Sequence, residues 1–204
     1  MHCNLLPREP AADFEQHLRI AATKSRLAKF ALAEFLLQEN KEVSRAVELL
    51  CSAASDGLGY AATVLGILSR SGIGVAKDID VSNSWFEKGA RLGDPAGWTW
   101  LAMNYVSDLG AITDKDAAKR LFSRAVDEGD FAAYSWLAVI YLESKDPNER
   151  NLAVDLLRRG AEVGDYGSLT RLAKLYRQGT HGVPKDVARA EEYEQKVRHI
   201  TGTP

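Results

Sequence analysis

GDPAGWTWLAMNY, residues Gly93 to Tyr105, decides the fold because it recurs. Gly129 to Tyr141 reads GDFAAYSWLAVIY, Gly164 to Tyr176 reads GDYGSLTRLAKLY, and Gly57 to Ser69, GLGYAATVLGILS, is a looser copy. The leading glycines are spaced by 36, 36 and 35 residues. A fixed period of this size marks stacked supersecondary units, each too small to bury its apolar face alone. A Leu-Ala or Leu-Gly pair follows each glycine at the same offset, at Leu65-Gly66, Leu101-Ala102, Leu137-Ala138 and Leu172-Ala173. Leu32-Ala33 is a weaker copy upstream.

Each unit has a second half. It reads SWFEKGARLGD from Ser84, LFSRAVDEGD from Leu121, LLRRGAEVGD from Leu156 and LLCSAASDG from Leu49. A glycine-rich loop joins the halves, clearest at Ser71 to Asp78, SGIGVAKD, and Gly179 to Asp186, GTHGVPKD. This order of motifs resembles the Sel-1-like repeat, a relative of the tetratricopeptide repeat. The likeness runs from about Lys24 to His199. It implies an all-α fold, a right-handed α-solenoid of about five helix-turn-helix repeats. The repeats are expected at residues 24–56, 57–92, 93–128, 129–163 and 164–200, within one elongated domain. Residues 1–23 are expected to form an arm and a capping helix from Ala11, because a solenoid end exposes core surface unless covered. Residues 201–204 are a tail. About eleven helices follow: the cap and five antiparallel pairs.

The repeated Gly-Asp pairs have a local physical reason. Glycine takes the left-handed conformation that closes a helix, and the next aspartate accepts from the following helix's first amides. Asp94, Asp130 and Asp165 are therefore read as caps rather than catalytic groups.

Composition narrows the function. The chain has 204 residues, 46% of them hydrophobic and 26% charged, with a net charge of -2. That balance argues against a nucleic-acid partner, which usually calls for a basic surface. No apolar run has the length of a membrane span. The start, MHCNLLPREP, lacks the basic and apolar regions of a secretory signal. Two cysteines, Cys3 and Cys51, are too few for a disulfide framework, so a cytoplasmic location is expected. Cys51 falls on an apolar helix face and reads as a buried small hydrophobe.

Chemistry-bearing motifs are scarce. The four histidines stand at positions 2, 17, 181 and 199, with no HExxH, CxxC, Walker loop or G-x-S-x-G. His181 lies in the repeat loop and reads as solvated. SGIGVAKD follows a helix, not a strand, so its glycines belong to the repeat rather than to a phosphate cradle. No catalytic, cofactor or metal site is expected.

A binding surface is the remaining resource. Trp98, Leu101, Ala102 and Tyr105 fall at i, i+3, i+4 and i+7, as do Tyr134, Leu137, Ala138 and Tyr141; each set is one core stripe. Trp100 and Trp136 stand two residues after the stripe's first aromatic, about 200° round the helix. The resemblance implies a small or polar residue here, often Asn, and first helices that line the concave surface. That surface is then expected to carry Thr63, Ile67 and Arg70; Thr99, Trp100, Met103 and Val106; Ser135, Trp136, Val139 and Leu142; and Thr170, Arg171, Lys174 and Arg177. The expected protein-binding site is centred on Trp100, Met103, Trp136 and Val139, with Arg171, Lys174 and Arg177 at a basic end. A second reading stays open: the two tryptophans fill gaps between neighbouring first helices.

The resemblance implies a non-enzymatic protein-binding adaptor or scaffold. Small bacterial proteins of this kind include immunity proteins that occlude a toxic effector. The alternative is a β-lactam- or cell-wall-fragment-binding hydrolase like the cysteine-rich relatives, against which the absence of cysteine pairs counts. With one thiol in an arm and the other in a helix, no bridge is expected. Melting temperatures measured with and without reductant should coincide; a large fall on reduction contradicts this.

Overall fold

The structure is a computed structural model that describes residues 11–106 and 114–202. The described residues form eleven α-helices and no strand. In order these are α1 (Ala11–Ala22), α2 (Arg26–Gln38), α3 (Val43–Ser55), α4 (Gly59–Ser71), α5 (Ile79–Arg91), α6 (Ala96–Val106), α7 (Lys115–Asp127), α8 (Ala132–Leu142), α9 (Pro147–Glu162), α10 (Tyr166–Gln178) and α11 (Val187–Thr201). The all-α repeat architecture expected from the period is what the chain adopts. The expected N-terminal arm, Cys3 and most of the loop Asp108 to Asp114 lie outside the described residues.

The chain divides into two compact units, residues 1–97 and 98–204. In the first, each helix packs on its predecessor from α1 to α5. Leu36, Leu50, Ala53, Leu65 and Phe86 are fully or almost fully buried there. Cys51 is a free, half-buried thiol in α3, and burial pushes its pKa up, with Lys88 partly opposing. In the second unit α7 to α11 pack in succession, and α8 also touches α10 directly. That contact joins two first helices across a repeat boundary, which is what stacking a repeat means. Phe122, Leu157, Leu169 and Leu172 fill this core.

The turns between repeats follow the reasoning from Gly-Asp. Gly93, Gly129 and Gly164 have φ of 90°, 99° and 81°. The Gly129 amide donates to Val126 O at 3.1 Å, and the Asp130 amide reaches back to Ala125 O at 2.8 Å. The Asp165 amide makes the same reach to Gly160 O, also at 2.8 Å. This bonding pattern occupies carbonyls that a helix end leaves open. The aspartates then serve the next helix: Asp130 Oδ1 accepts from the Ala132 amide at 3.2 Å, and Asp165 Oδ2 from Ser168 at 2.7 Å.

Other glycines serve close approach. A Cβ on Gly160, inside α9, would come within 2.9 Å of the Cβ atoms of both Ser168 and Tyr134. Neither atom is a flexible side-chain tip, so both neighbouring helices would have to move. Gly160→Ala gains about 1 kcal/mol of helix propensity but overpacks a filled contact, which costs about 1–3 kcal/mol. The variant is expected to be destabilised by about 1 kcal/mol in urea unfolding, the packing loss exceeding the helix gain. A stabilised variant would show that the two helices are free to separate.

Candidate protein-binding face

The first helices of the second unit's repeats, α6, α8 and α10, carry equivalent positions in rows set by the period. One row is Trp100, Trp136 and Arg171; the next is Met103, Val139 and Lys174; a third is Val106, Leu142 and Arg177. Trp100, Met103, Trp136 and Val139 are all half-buried. The core stripes beside them are covered more fully at Trp98, Leu101, Ala102, Tyr134, Leu137 and Ala138, which are buried, while Tyr105 and Tyr141, also expected in the core, are half-buried.

Trp136 has two neighbours that define it. Its ring lies nearly parallel to that of the buried Phe122 in α7, at 7° with 6.4 Å between centroids. The Arg171 guanidinium sits 5.7 Å from its centroid. The residue is therefore packed against the preceding second helix and also covered by a cation from the next first helix. A guanidinium over an indole is attracted by the ring's quadrupole. Both contacts are internal packing, and the ring is left half-buried.

The basic end divides. Arg171 and Lys174 line a groove of about 530 Å³ together with Leu142, Thr170, Leu175, Gln178, Thr180 and His181. Arg177 is turned elsewhere. Its Nε and Nη2 donate to the two carboxylate oxygens of Glu194 on α11 at 2.9 and 2.8 Å. Six residues from Arg171 is about 240° of helix rotation, so the two arginines do not share a face. Arg177 is thus an α10–α11 fastener rather than a free rim charge.

The expected surface also loses its hydroxyl residues. Thr63, Thr99 and Ser135 are buried, at 1%, 5% and 4% exposure. Each lies where helices approach closely. The Thr99 hydroxyl donates to Asp130, the aspartate that opens the next repeat. A Cβ on Gly167 would fall 2.8 Å from Ser135 Cβ. Thr170, by contrast, is exposed. Thr180 and His181, loop residues of which His181 was expected to be merely solvated, line the groove beside α10. His181 has a left-handed backbone, φ 56°, between Gly179 at 68° and Gly182 at 82°. This tight turn brings the loop back beside its own helix.

Cation–aromatic contacts recur along the unit. Arg124 sits 4.0 Å over the Trp98 ring and Arg159 5.5 Å over Tyr134, at equivalent places in successive repeats. Glu128 completes the first of these, accepting from Arg124 Nε at 2.7 Å and Trp98 Nε1 at 2.9 Å. Among the described residues no group of His, Cys, Asp and Glu could hold a metal ion, and no helix is long and apolar enough to cross a membrane.

Successive helix pairs closed by Gly-Asp turns, with a half-buried apolar and cationic face on the first helices, define an all-α helical repeat protein. The Sel1 repeat family matches residues 59–94, 99–130, 132–165 and 168–196, and the chain belongs to it. α2 and α3 precede the first match. Among solved structures, the chain is similar to a Sel1 repeat protein from Oxalobacter formigenes, at 22% identity and a TM-score of 0.81, covering 94% of this chain and 80% of that one. It is similar to c5321, a protective antigen of uropathogenic Escherichia coli strains with an SLR fold, at 25% identity and a TM-score of 0.79; 91% of this chain is covered, and 41% of that one. Immunity protein Pa5087 from Pseudomonas aeruginosa is 21% identical, with a TM-score of 0.58, over 95% of this chain and 67% of that one. Comparison with curated proteins gives no match.

The Arg124 hydrogen bond holds the Glu128 carboxyl below its ordinary range, burial partly opposing and the Trp98 bond adding to it. A depressed carboxylate stabilises the fold above its unfolded pKa, and that stability is lost as pH falls through the folded value. Glu128→Gln should therefore be less stable than the parent at neutral pH, with the gap closing as pH falls below about 4.5. Glu128 faces solvent, so the gap is expected to stay under about 1 kcal/mol. Thermal unfolding of both proteins across pH 3 to 7 measures it, and a pH-independent gap would mean that charge plays no part.

Proposed function

We propose that the chain is a non-enzymatic protein-binding adaptor of immunity type, one that holds and occludes a protein effector through the face of α6, α8 and α10. Sel1 repeats generally mediate protein–protein interaction without catalysis. The observation that carries the reading is the row arrangement itself. Trp100, Met103, Trp136 and Val139 keep part of their apolar surface open on neighbouring first helices, and cations follow at the equivalent places on α10. Tryptophan and arginine are the residues most enriched among those that dominate binding energy, and an apolar centre beside charge is the usual anatomy of such a site. The immunity reading draws on the fold shared with the Pseudomonas aeruginosa immunity protein.

Trp136 is a poor probe of binding because its truncation also removes the stack on Phe122. Met103 and Val139 are better. A glutamate there can extend its carboxylate to water while placing charge on the apolar centre. Tagged parent, Met103→Glu and Val139→Glu proteins would be used to capture partners from the native host, after circular dichroism has shown equal helix content. A protein recovered at near-equal amount with the parent is expected to bind each variant at least about tenfold more weakly. The purified partner's own activity should fall as one equivalent of the parent is added. Equal recovery with all three proteins places the contact elsewhere, and unchanged partner activity removes the occlusion.

A further inference from the structure

Among the described residues, several cations of the second unit are paired with carboxylates. Lys115 pairs with Glu143, Lys119 with Glu149, Arg124 with Glu128, Arg158 with Asp155 and Arg177 with Glu194. Arg158 and Arg189 also donate to the Tyr176 hydroxyl at 3.3 and 3.4 Å. The groove beside α10 departs from this pattern. It gathers Arg171, Lys174 and His181, and no carboxylate is among its described lining residues. Arg171 is engaged by the Trp136 ring, a contact that leaves its guanidinium edge able to donate. Lys174 and His181 are exposed and make no hydrogen bond or ion pair to a described residue. On the same wall the Thr180 hydroxyl is buried and has no hydrogen-bond partner among the described residues. Buried hydroxyls normally have a partner, and one without is a place for an incoming acceptor.

The rest of the lining is apolar or neutral: Leu142, Leu175, Thr170 and Gln178. A space of about 530 Å³ lies within the range of small-molecule pockets and suits one or two side chains rather than a folded surface. Concentrated cations in a chain of net charge -2 call for an anion there.

We propose that this groove receives a carboxylate side chain, carried next to an apolar residue on an acidic segment of the protein partner. The carboxylate takes donors from Lys174, Arg171 and the Thr180 hydroxyl, and the apolar neighbour rests on Leu142 and Leu175. The proposal builds on the reading of this face as protein-binding, and adds the partner's chemistry.

The test uses the full-length protein, ¹⁵N-labelled, and three probes: the blocked peptide Gly-Glu-Leu-Glu-Gly, its counterpart with Gln for both Glu, and inorganic phosphate. The acidic peptide should shift the amide signals of Lys174, Thr180 and His181 in a saturable way, and the Gln peptide at least about tenfold less tightly. Lys174→Gln and Thr180→Val should each weaken the acidic peptide by about threefold or more, with the remaining amide spectrum unchanged. Absence of saturable shifts overturns the proposal, as do equal responses to the two peptides. Phosphate binding tighter than the acidic peptide overturns it in favour of an inorganic-anion site. Folded variants that bind like the parent overturn the assigned donors. A variant that fails to fold leaves the parent titration as the deciding measurement. Met103→Glu and Val139→Glu lie outside this groove and should keep the peptide response. If they lose the native partner while the parent ignores the peptide, the protein-binding face stands and only the carboxylate site falls.

Discussion

A left-handed glycine followed by an aspartate sets the period on which the rest depends. The glycine lets the chain reverse within one residue, which a side chain would resist because its Cβ crowds the carbonyl in that conformation. The aspartate then satisfies amides of the next helix, so the reversal leaves few backbone groups without partners. Because the reversal is nearly the same at Gly93, Gly129 and Gly164, residues one period apart are presented in register. The meeting of Arg171 with Trp136 follows from this: the two are 35 residues apart in sequence and one helix apart in space.

Register alone does not bring helices close. That comes from small residues at the crossing points, which exclude a side chain on one helix so that a hydroxyl on the next can fit. Gly160 against Ser168 and Gly167 against Ser135 are examples. The hydroxyls then work within the structure, as Thr99 does by donating to Asp130 in the following repeat. Periodicity identifies a helix face but does not separate a small polar residue in a tight crossing from one in water. Thr63, Thr99 and Ser135 were legible as off-stripe positions and illegible as buried ones for this reason.

The fold was otherwise open to reading, because four copies of one motif average out the ambiguity of any single segment. The candidate site was less so. Trp100 and Trp136 stand out from the repeat pattern, but a residue two places off the core stripe faces the edge between helices, where packing and exposure meet. The half-burial of both rings is the result. Arg177 was placed by row, and a row drifts round the helix with each step of three residues. Two steps from Arg171 carry it to the side of α11, where the Glu194 carboxylate accepts from it. Thr180 and His181 were hidden for another reason: loop positions have no period, and only the left-handed turn brings them beside α10.

Variation among the repeats then falls into two physical kinds. At the turns the repeat returns a left-handed glycine, and at the crossings a small residue, as Gly89, Ala125 and Gly160 do at one place, since a large side chain there moves whole helices. Along the rows it is free, and α6 and α8 carry Trp, Met and Val where α10 carries Arg and Lys. A gradient from apolar to cationic is thereby produced with no change of backbone. Pairing trims that gradient. Arg177 is neutralised by Glu194, and Lys119, Arg124, Arg158 and Arg159 on the second helices lie against Trp98, Tyr134 or nearby carboxylates. Charge that is already matched adds little attraction for a partner, because breaking the internal pair offsets what the new one gains. The unmatched cations are therefore fewer than the count of basic residues suggests, and Lys174, where the row of Met103 and Val139 reaches α10, is one of them.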